Sequence, residues 1–196
     1  CLLIAVIITA ASCNEKQHTS AASIANADTL FITFTNRFID AYWKQNPAGA
    51  IYSGYGKYYD ALKIPDSTAF AGDTRFAKNY LDSLQAFRFN ELSAGNKIDY
   101  RILENQLKST IWYTDTFKLQ QWDPSIYNIG GECYEIINKN YAPLTERLKT
   151  LSSHLQHADK YYAAALTIIQ EPTKEHTNLA VLQNEGSLDV FGKMLT

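Results

Sequence analysis

Apolar residues that recur every three or four positions are the feature that most constrains the fold of this 196-residue chain. The first such series consists of Phe31, Phe34, Phe38 and Tyr42. This spacing brings side chains to one face of an α-helix. No stretch shows the apolar-polar alternation that is typical of a half-buried strand. We therefore expect an all-α fold of antiparallel helices with irregular connections.

Turn and capping residues divide the first half of the chain. Asn46-Pro47 ends the first helix and starts a short second helix, which Gly54 follows. The third helix begins near Asp66 or Ser67, and Ser93 caps a fourth that extends to about residue 115. The predicted buried faces are Phe70, Ala77, Leu81, Leu84 and Phe87 in the third helix, and Ile98, Ile102, Leu107 and Ile111 in the fourth.

The second half begins with an irregular stretch over residues 117–131. Within it, Asp123 is a good N-cap and Pro124 a good first helical residue. We expect a short helix over 132–138, a long one from Pro143 through Ile169, and a last helix from near Thr173. Their predicted apolar positions are Leu144, Leu148, Leu151, Leu155, Ala158 and Tyr162, followed by Leu179, Leu182, Leu188 and Phe191.

The first thirteen residues indicate export. An apolar run over 2–8 is too short to cross a bilayer as a helix, which needs about 20 apolar residues, and it is typical of a signal peptide. The small residues that lead to Cys13 resemble a lipobox, in which this cysteine is acylated. We expect a signal peptide truncated at its start (1–12), a lipid-anchored flexible tether (13–28) and a helical domain incomplete at its C-terminus (29–196). The expected location is the bacterial cell envelope, at the outer membrane.

The composition and the candidate reactive side chains exclude several classes of function. The net charge of −2 lacks the basic excess of nucleic-acid-binding proteins. Cys133 is the single cysteine of the expected helical domain, and we interpret it as a buried apolar residue rather than a nucleophile. His154 and His157 share a helix face, but no carboxylate completes a zinc site there. No catalytic motif is found in the sequence, so we expect neither catalytic nor metal-binding residues in this chain.

Two irregular segments carry further polar side chains. Glu171, Glu175 and His176 flank Pro172, and we interpret Glu175 as an acidic residue in the first turn of a helix. Trp122, Asp123 and Tyr127 stand on the irregular connection, where they could line a cleft or close the end of a helix pair.

Several segments together resemble one bacterial family. They are Trp122-Asp123-Pro124-Ser125-Ile126-Tyr127, similar to the family's W-(N/D)-P-x-x-Y element; Tyr141 to Leu148; and Gln183-Asn184-Glu185-Gly186. Their order and spacing resemble domain of unknown function 885, many members of which are lipoproteins. The resemblance covers about Leu30 to Phe191.

The resemblance implies a function for the whole protein rather than for this piece. Family members are about three times as long and resemble gluzincin-type zinc metallopeptidases, with a His-Glu-x-x-Pro-Gly-His variant in their C-terminal half. No segment here matches that motif. This chain would then form a helical wall of the peptide-substrate cleft, with zinc held elsewhere in the full-length protein. The alternatives are a non-enzymatic surface lipoprotein that binds glycans or peptides, and a purely structural envelope protein.

Overall fold

All regular secondary structure in the part that the computed structural model describes, residues 21–194, is helical, and this range contains no strand. Its α-helices are α1 (Ala21–Gln45), α2 (Pro47–Ser53), α3 (Ser67–Gln85), α4 (Ala94–Ile111), α5 (Leu119–Trp122), α6 (Ile129–Asn138), α7 (Leu144–Gln156), α8 (Ala158–Ile168) and α9 (Lys174–Met194). The predicted all-α class is confirmed. Within this range, no helix has both the length and the apolar character that crossing a membrane requires.

Helices α1, α3 and α4 enclose a first core. Phe31 and Phe38 of α1 are buried, with Phe34 and Tyr42 partly buried beside them, so the predicted stripe is confirmed. The buried set also includes Leu84 from α3 and Leu107 from α4.

Helix α1 begins earlier than predicted. Residues 21–28, which we expected in the flexible tether, are helical. Ala27 packs against the first core, and the Asp28 carboxylate accepts a hydrogen bond from the Ser93 amide over 3.0 Å. These contacts explain why α1 extends into this segment, because they stabilise the helix there although the segment has no apolar periodicity. Residues 1–20, which include the predicted signal peptide and Cys13, lie outside the described range.

A second core lies between α2, α6, α7 and α8. Its buried members include Ile51, Cys133, Ile136 and Leu151. Helix α2 ends at Gly54 in the left-handed conformation, with φ of 70°, as predicted from the glycine.

The predicted buried faces of three helices are wrong in part. Ile98 and Ile102 of α4 are 62% and 60% exposed, whereas Tyr100 and Leu107 face the core. The exposed side also includes Leu144 and Leu148 of α7, and Leu179, Leu182 and Leu188 of α9. The physical reason is that these helices have apolar residues on two sides. Periodicity alone does not tell which side meets a neighbour.

Two predicted helices are interrupted. Helix α4 ends at Ile111 and continues as a π-helical turn, Trp112–Phe117, where bulky and β-branched residues follow one another. The long helix expected through residue 169 is divided at His157 into α7 and α8. There the His157 ring contacts the Ser153 carbonyl over 2.7 Å, while its amide bonds instead to the His154 carbonyl.

Candidate functional site

The predicted Trp-Asp-Pro segment forms a tight corner between α5 and a 3₁₀ turn, Pro124–Ile126. Asp123 caps this turn, since its Oδ1 accepts hydrogen bonds from the Ser125 amide (2.9 Å) and hydroxyl (2.5 Å). The Tyr127 hydroxyl donates to the Gln120 carbonyl over 2.7 Å, and burial raises the pKa of Tyr127. The capping prediction for Asp123 and Pro124 is therefore confirmed.

This corner holds the connection between α8 and α9. The Gln121 carbonyl accepts from the Gln170 amide (2.8 Å) and the Glu171 amide (3.3 Å). The Trp122 carbonyl accepts from the Thr173 amide over 3.1 Å. Because these bonds join segments about fifty positions apart, the corner fixes where α9 begins.

His176 also packs on the corner. Its ring meets the Trp122 indole edge-on at 5.1 Å, and its Nδ1 lies 2.6 Å from the Thr173 hydroxyl. Its Nε2 lies 3.8 Å from Asp123 Oδ2. Glu175 lies in the first turn of α9, as we interpreted it. The imidazole thus lies near the carboxylate of Asp123, beyond hydrogen-bond distance, a proximity that the sequence did not indicate.

The three predicted cleft-lining residues differ in exposure. Asp123 and Tyr127 are 7% and 4% exposed, and their polar atoms are engaged in the corner. Trp122 is half-buried, and its indole donates to the Phe117 carbonyl. A role for these residues in lining a cleft stays a prediction.

An exposed aromatic cluster lies beside the corner and consists of Trp112, Tyr113 and Phe117. The Trp112 and Phe117 rings stack at 4.9 Å, and Tyr113 meets both of them edge-on. All three belong to the π-helical turn, a conformation often found at functional sites. Exposed aromatic faces of this kind can bind sugar rings or apolar side chains.

The two histidines that share a predicted helix face do not form a site together. His154 is buried, while His157 is exposed at the α7–α8 junction. Nδ1 of His154 lies 3.7 Å from Oε2 of Glu132, which is longer than a hydrogen bond. Burial lowers the pKa of His154 and raises the pKa of Glu132 to about 7, so burial favours the uncharged form of both groups. In the part of the chain described, no three His, Cys, Asp or Glu side chains come together as a metal site.

Cys133 lies beside Glu132 and is a buried free thiol. Burial, with a further contribution from the Glu132 carboxylate, raises the pKa of Cys133 to about 12. A reactive cysteine needs the opposite shift. The interpretation of Cys133 as a small apolar core residue is therefore confirmed.

A groove of about 600 Å³ between α2, α6 and α9 was not predicted from the sequence. It is lined by Glu132 and Gln183, whose Oε2 and Oε1 atoms are buried without hydrogen-bond partners. The local signal that could have indicated it is Gly130-Gly131 directly before Glu132, since paired glycines leave backbone uncovered.

These features define a helical protein whose described part holds a structural corner, an exposed aromatic cluster and a groove between α2, α6 and α9. The sequence matches the family of bacterial proteins of unknown function designated DUF885 over residues 47–195, and the chain belongs to this family. The chain is also similar to a solved structure from Shewanella oneidensis, of a protein provisionally classed as a lipoprotein of unknown function, with 41% identity and a TM-score of 0.80. The similarity covers 84% of this chain but 30% of the Shewanella chain. No curated protein matches the sequence.

Proposed function

We propose that this chain is the N-terminal helical part of an exported, lipid-anchored hydrolase similar to zinc metallopeptidases, and that its helices form one wall of the substrate cleft. The observation that carries the proposal is the exposure of Leu179 and Leu182, which lie one turn apart on α9, by 44% and 65%. Adjacent exposed apolar side chains are typical of a surface that another part of a protein covers. The region similar to this chain makes up 30% of the Shewanella chain, which supports the presence of a further part that could cover these side chains.

Under this proposal the zinc ligands belong to other regions of the full-length protein. The described residues do not fit a zinc site, because His154 and His157 diverge and residues 21–194 offer no set of three ligands. The contribution of this chain is then to shape and wall the cleft rather than to carry out the reaction.

The test is peptide hydrolysis by the purified full-length protein, before and after removal of metal with a chelator. We expect cleavage that chelation abolishes and that added zinc restores. The proposal fails if cleavage is absent. It also fails if the sequence after residue 196 contains no helix with a His-Glu pair followed by a third ligand.

The alternative is a non-enzymatic lipoprotein that binds glycans or peptides. The exposed aromatic cluster at the π-helical turn favours this alternative, because ring faces bind sugars and side chains without any reactive group. Titration with oligosaccharides or peptides should then change tryptophan fluorescence, without turnover and without any dependence on metal. Substituting Trp112 by alanine should abolish that change.

A further inference from the structure

A cavity of about 840 Å³ lies between α3, the π-helical turn and the connection from α8 to α9. One face of α3 forms its first wall, with side chains at steps of three and four positions: Ser67, Ala71, Arg75 and Lys78. The opposite wall includes Lys118, directly after the π-helical turn, together with Gln121 and Gln170. We call this space the basic cavity.

Hydrogen bonds tie the walls of the basic cavity together. The Thr74 hydroxyl of α3 donates to Oδ1 of Asp115 in the π-helical turn over 2.8 Å. The Gln120 side-chain amide donates to the Thr114 carbonyl over 3.0 Å. The Gln170 amide donates to the Gln121 carbonyl over 2.8 Å. Because these bonds already hold the walls in place, a ligand would lose little affinity to ordering them.

The charges of the basic cavity favour an anion. Its described lining contains three cations, Arg75, Lys78 and Lys118, and one carboxylate, Asp115. Lys78 Nζ pairs with Asp115 Oδ2 at 3.0 Å. Within the part of the chain described, the side chains of Arg75 and Lys118 have neither an ion pair nor a hydrogen bond. Both side chains are exposed, so a ligand from solvent can reach these two uncompensated charges.

Lys118 adopts a backbone conformation that favours glycine. Its φ of 52° and ψ of 44° lie in the left-handed region, which residues with a Cβ enter at a cost. The turn itself needs only backbone bonds, from the Lys118 amide to the Tyr113 carbonyl and from the Gln121 amide to the Lys118 carbonyl. Glycine would make the same turn with less strain, and strained residues of this kind cluster at binding sites. A role for the lysine side chain in the cavity explains its presence here.

We propose that the basic cavity binds a carboxylate group of a peptide between the Arg75 guanidinium and the Lys118 ammonium. A guanidinium can donate two parallel N–H bonds to a carboxylate, and the ammonium adds a second charge. The side-chain amides of Gln121 and Gln170 can bond to the peptide backbone beside it.

The carboxylate belongs either to the C-terminus of the peptide or to an Asp or Glu side chain. This inference deepens the proposed function, because it names a chemical group by which this wall would recognise a substrate. It rests on the peptide substrate assumed there, although binding and hydrolysis can be measured separately.

The test is calorimetric binding of four peptides to the full-length protein at neutral pH. The parent is acetyl-Ala-Phe-Glu-Ala with a free C-terminus, and the others have Gln in place of Glu, a C-terminal amide, or both changes. We expect the peptide without any carboxylate to bind at least about tenfold more weakly than the parent. Of the two single changes, the one with the larger loss identifies which carboxylate is bound.

Three variants locate the binding site. Arg75→Gln should weaken binding of the parent about tenfold and reduce the discrimination against the carboxylate-free peptide. Arg88→Gln removes the same charge outside the cavity, where Arg88 pairs with Glu91 at 3.0 Å, and should bind all four peptides as the unsubstituted protein does. Lys118→Gly should also weaken binding of the parent, yet it should not lower the urea midpoint of unfolding, because glycine relieves the left-handed backbone.

Equal binding of the parent and the carboxylate-free peptide would overturn the inference, and so would a failure of all four to bind. Full discrimination in both Arg75→Gln and Lys118→Gly would overturn the assignment to this cavity. An equal loss in Arg88→Gln would do the same, since it would reflect overall charge. Binding that needs a carboxylate without any cleavage keeps the inference and removes the hydrolase. Cleavage that is indifferent to the carboxylates does the reverse.

Discussion

At the scale of single residues, Glu132 makes the stability of the protein depend on pH. Burial raises its pKa from 4.5 to about 7, so the folded protein keeps a proton that the unfolded chain has already released. The free energy of unfolding should therefore fall as the pH rises from about 4.5 to about 7, by roughly 3 kcal/mol for this group. His154 acts in the opposite direction below pH 6.5, because burial lowers its pKa.

We predict that Glu132→Gln removes this fall. At pH 4 the two proteins should have similar free energies of unfolding. At pH 8 the variant should be more stable than the unsubstituted protein by about 3 kcal/mol. Urea unfolding at the two pH values measures the effect. Glu135→Gln is the control, since it removes a carboxylate from the same helix where Lys139 pairs with it. If Glu132→Gln changed the free energy of unfolding equally at both pH values, Glu132 would not be the source of the pH dependence.

Gly130 and Gly131 are sequence neighbours with different surroundings. A Cβ at Gly130 would lie 1.9 Å from the Ser187 hydroxyl and 2.3 Å from its Cβ, so Gly130→Ala should push α6 from α9 and cost about 1–3 kcal/mol. A Cβ at Gly131 meets no atom within 4 Å, so Gly131→Ala should stabilise α6 by up to about 1 kcal/mol. Urea unfolding followed by circular dichroism tests the pair. Equal effects of the two substitutions would refute the predicted contact.

At the scale of elements, the Trp-Asp-Pro corner should control the start of α9. Asp123→Ala removes the cap on the 3₁₀ turn and should cost about 1–2 kcal/mol. Because the Gln170 and Thr173 amides bond to carbonyls of this corner, their hydrogen exchange should accelerate most. Asp66→Ala, which removes the N-cap of α3, serves as the control. Exchange at the Gln170 and Thr173 amides should be slower in this variant than in Asp123→Ala. Uniform acceleration in both variants would argue against a local role.

Elements that depend on local chemistry could be predicted from the sequence. Asp66, Ser93 and Asp123 cap helices or turns in the structure because a side-chain oxygen reaches an amide two or three residues ahead. The buried side of α4 could not be predicted, because Ile98 and Tyr100 are both apolar and the choice between them depends on Phe31 of α1 and Phe89, whose rings contact that of Tyr100. The groove was missed for the same reason, since Glu132 and Gln183 are about fifty positions apart.

At the scale of the whole molecule, we expect a lipid anchor at Cys13 to decide where the protein resides. We predict that Cys13→Ser releases the protein from the membrane fraction, because acyl chains contribute about 0.8 kcal/mol per buried methylene and several chains are needed for firm anchoring. Cys133→Ala is the control, because this thiol is buried in the second core. Cell fractionation followed by density-gradient separation measures both retention and membrane type. A Cys13→Ser protein that stays with the membranes would exclude the anchor.

The exposed leucines of α9 can show whether this part of the protein contacts the rest of a full-length protein. If another segment covers Leu182, then Leu182→Glu buries an unpaired charge, and the full-length protein should lose more than about 2 kcal/mol of stability. If Leu182 faces solvent, the same change should stay within about 0.5 kcal/mol, as surface substitutions do. Asn178→Glu adds the same charge at an exposed position of α9 without removing apolar area, and it should be close to neutral. A small effect of both substitutions would mean that α9 presents its leucines to water, and the cleft-wall proposal would lose the observation on which it depends.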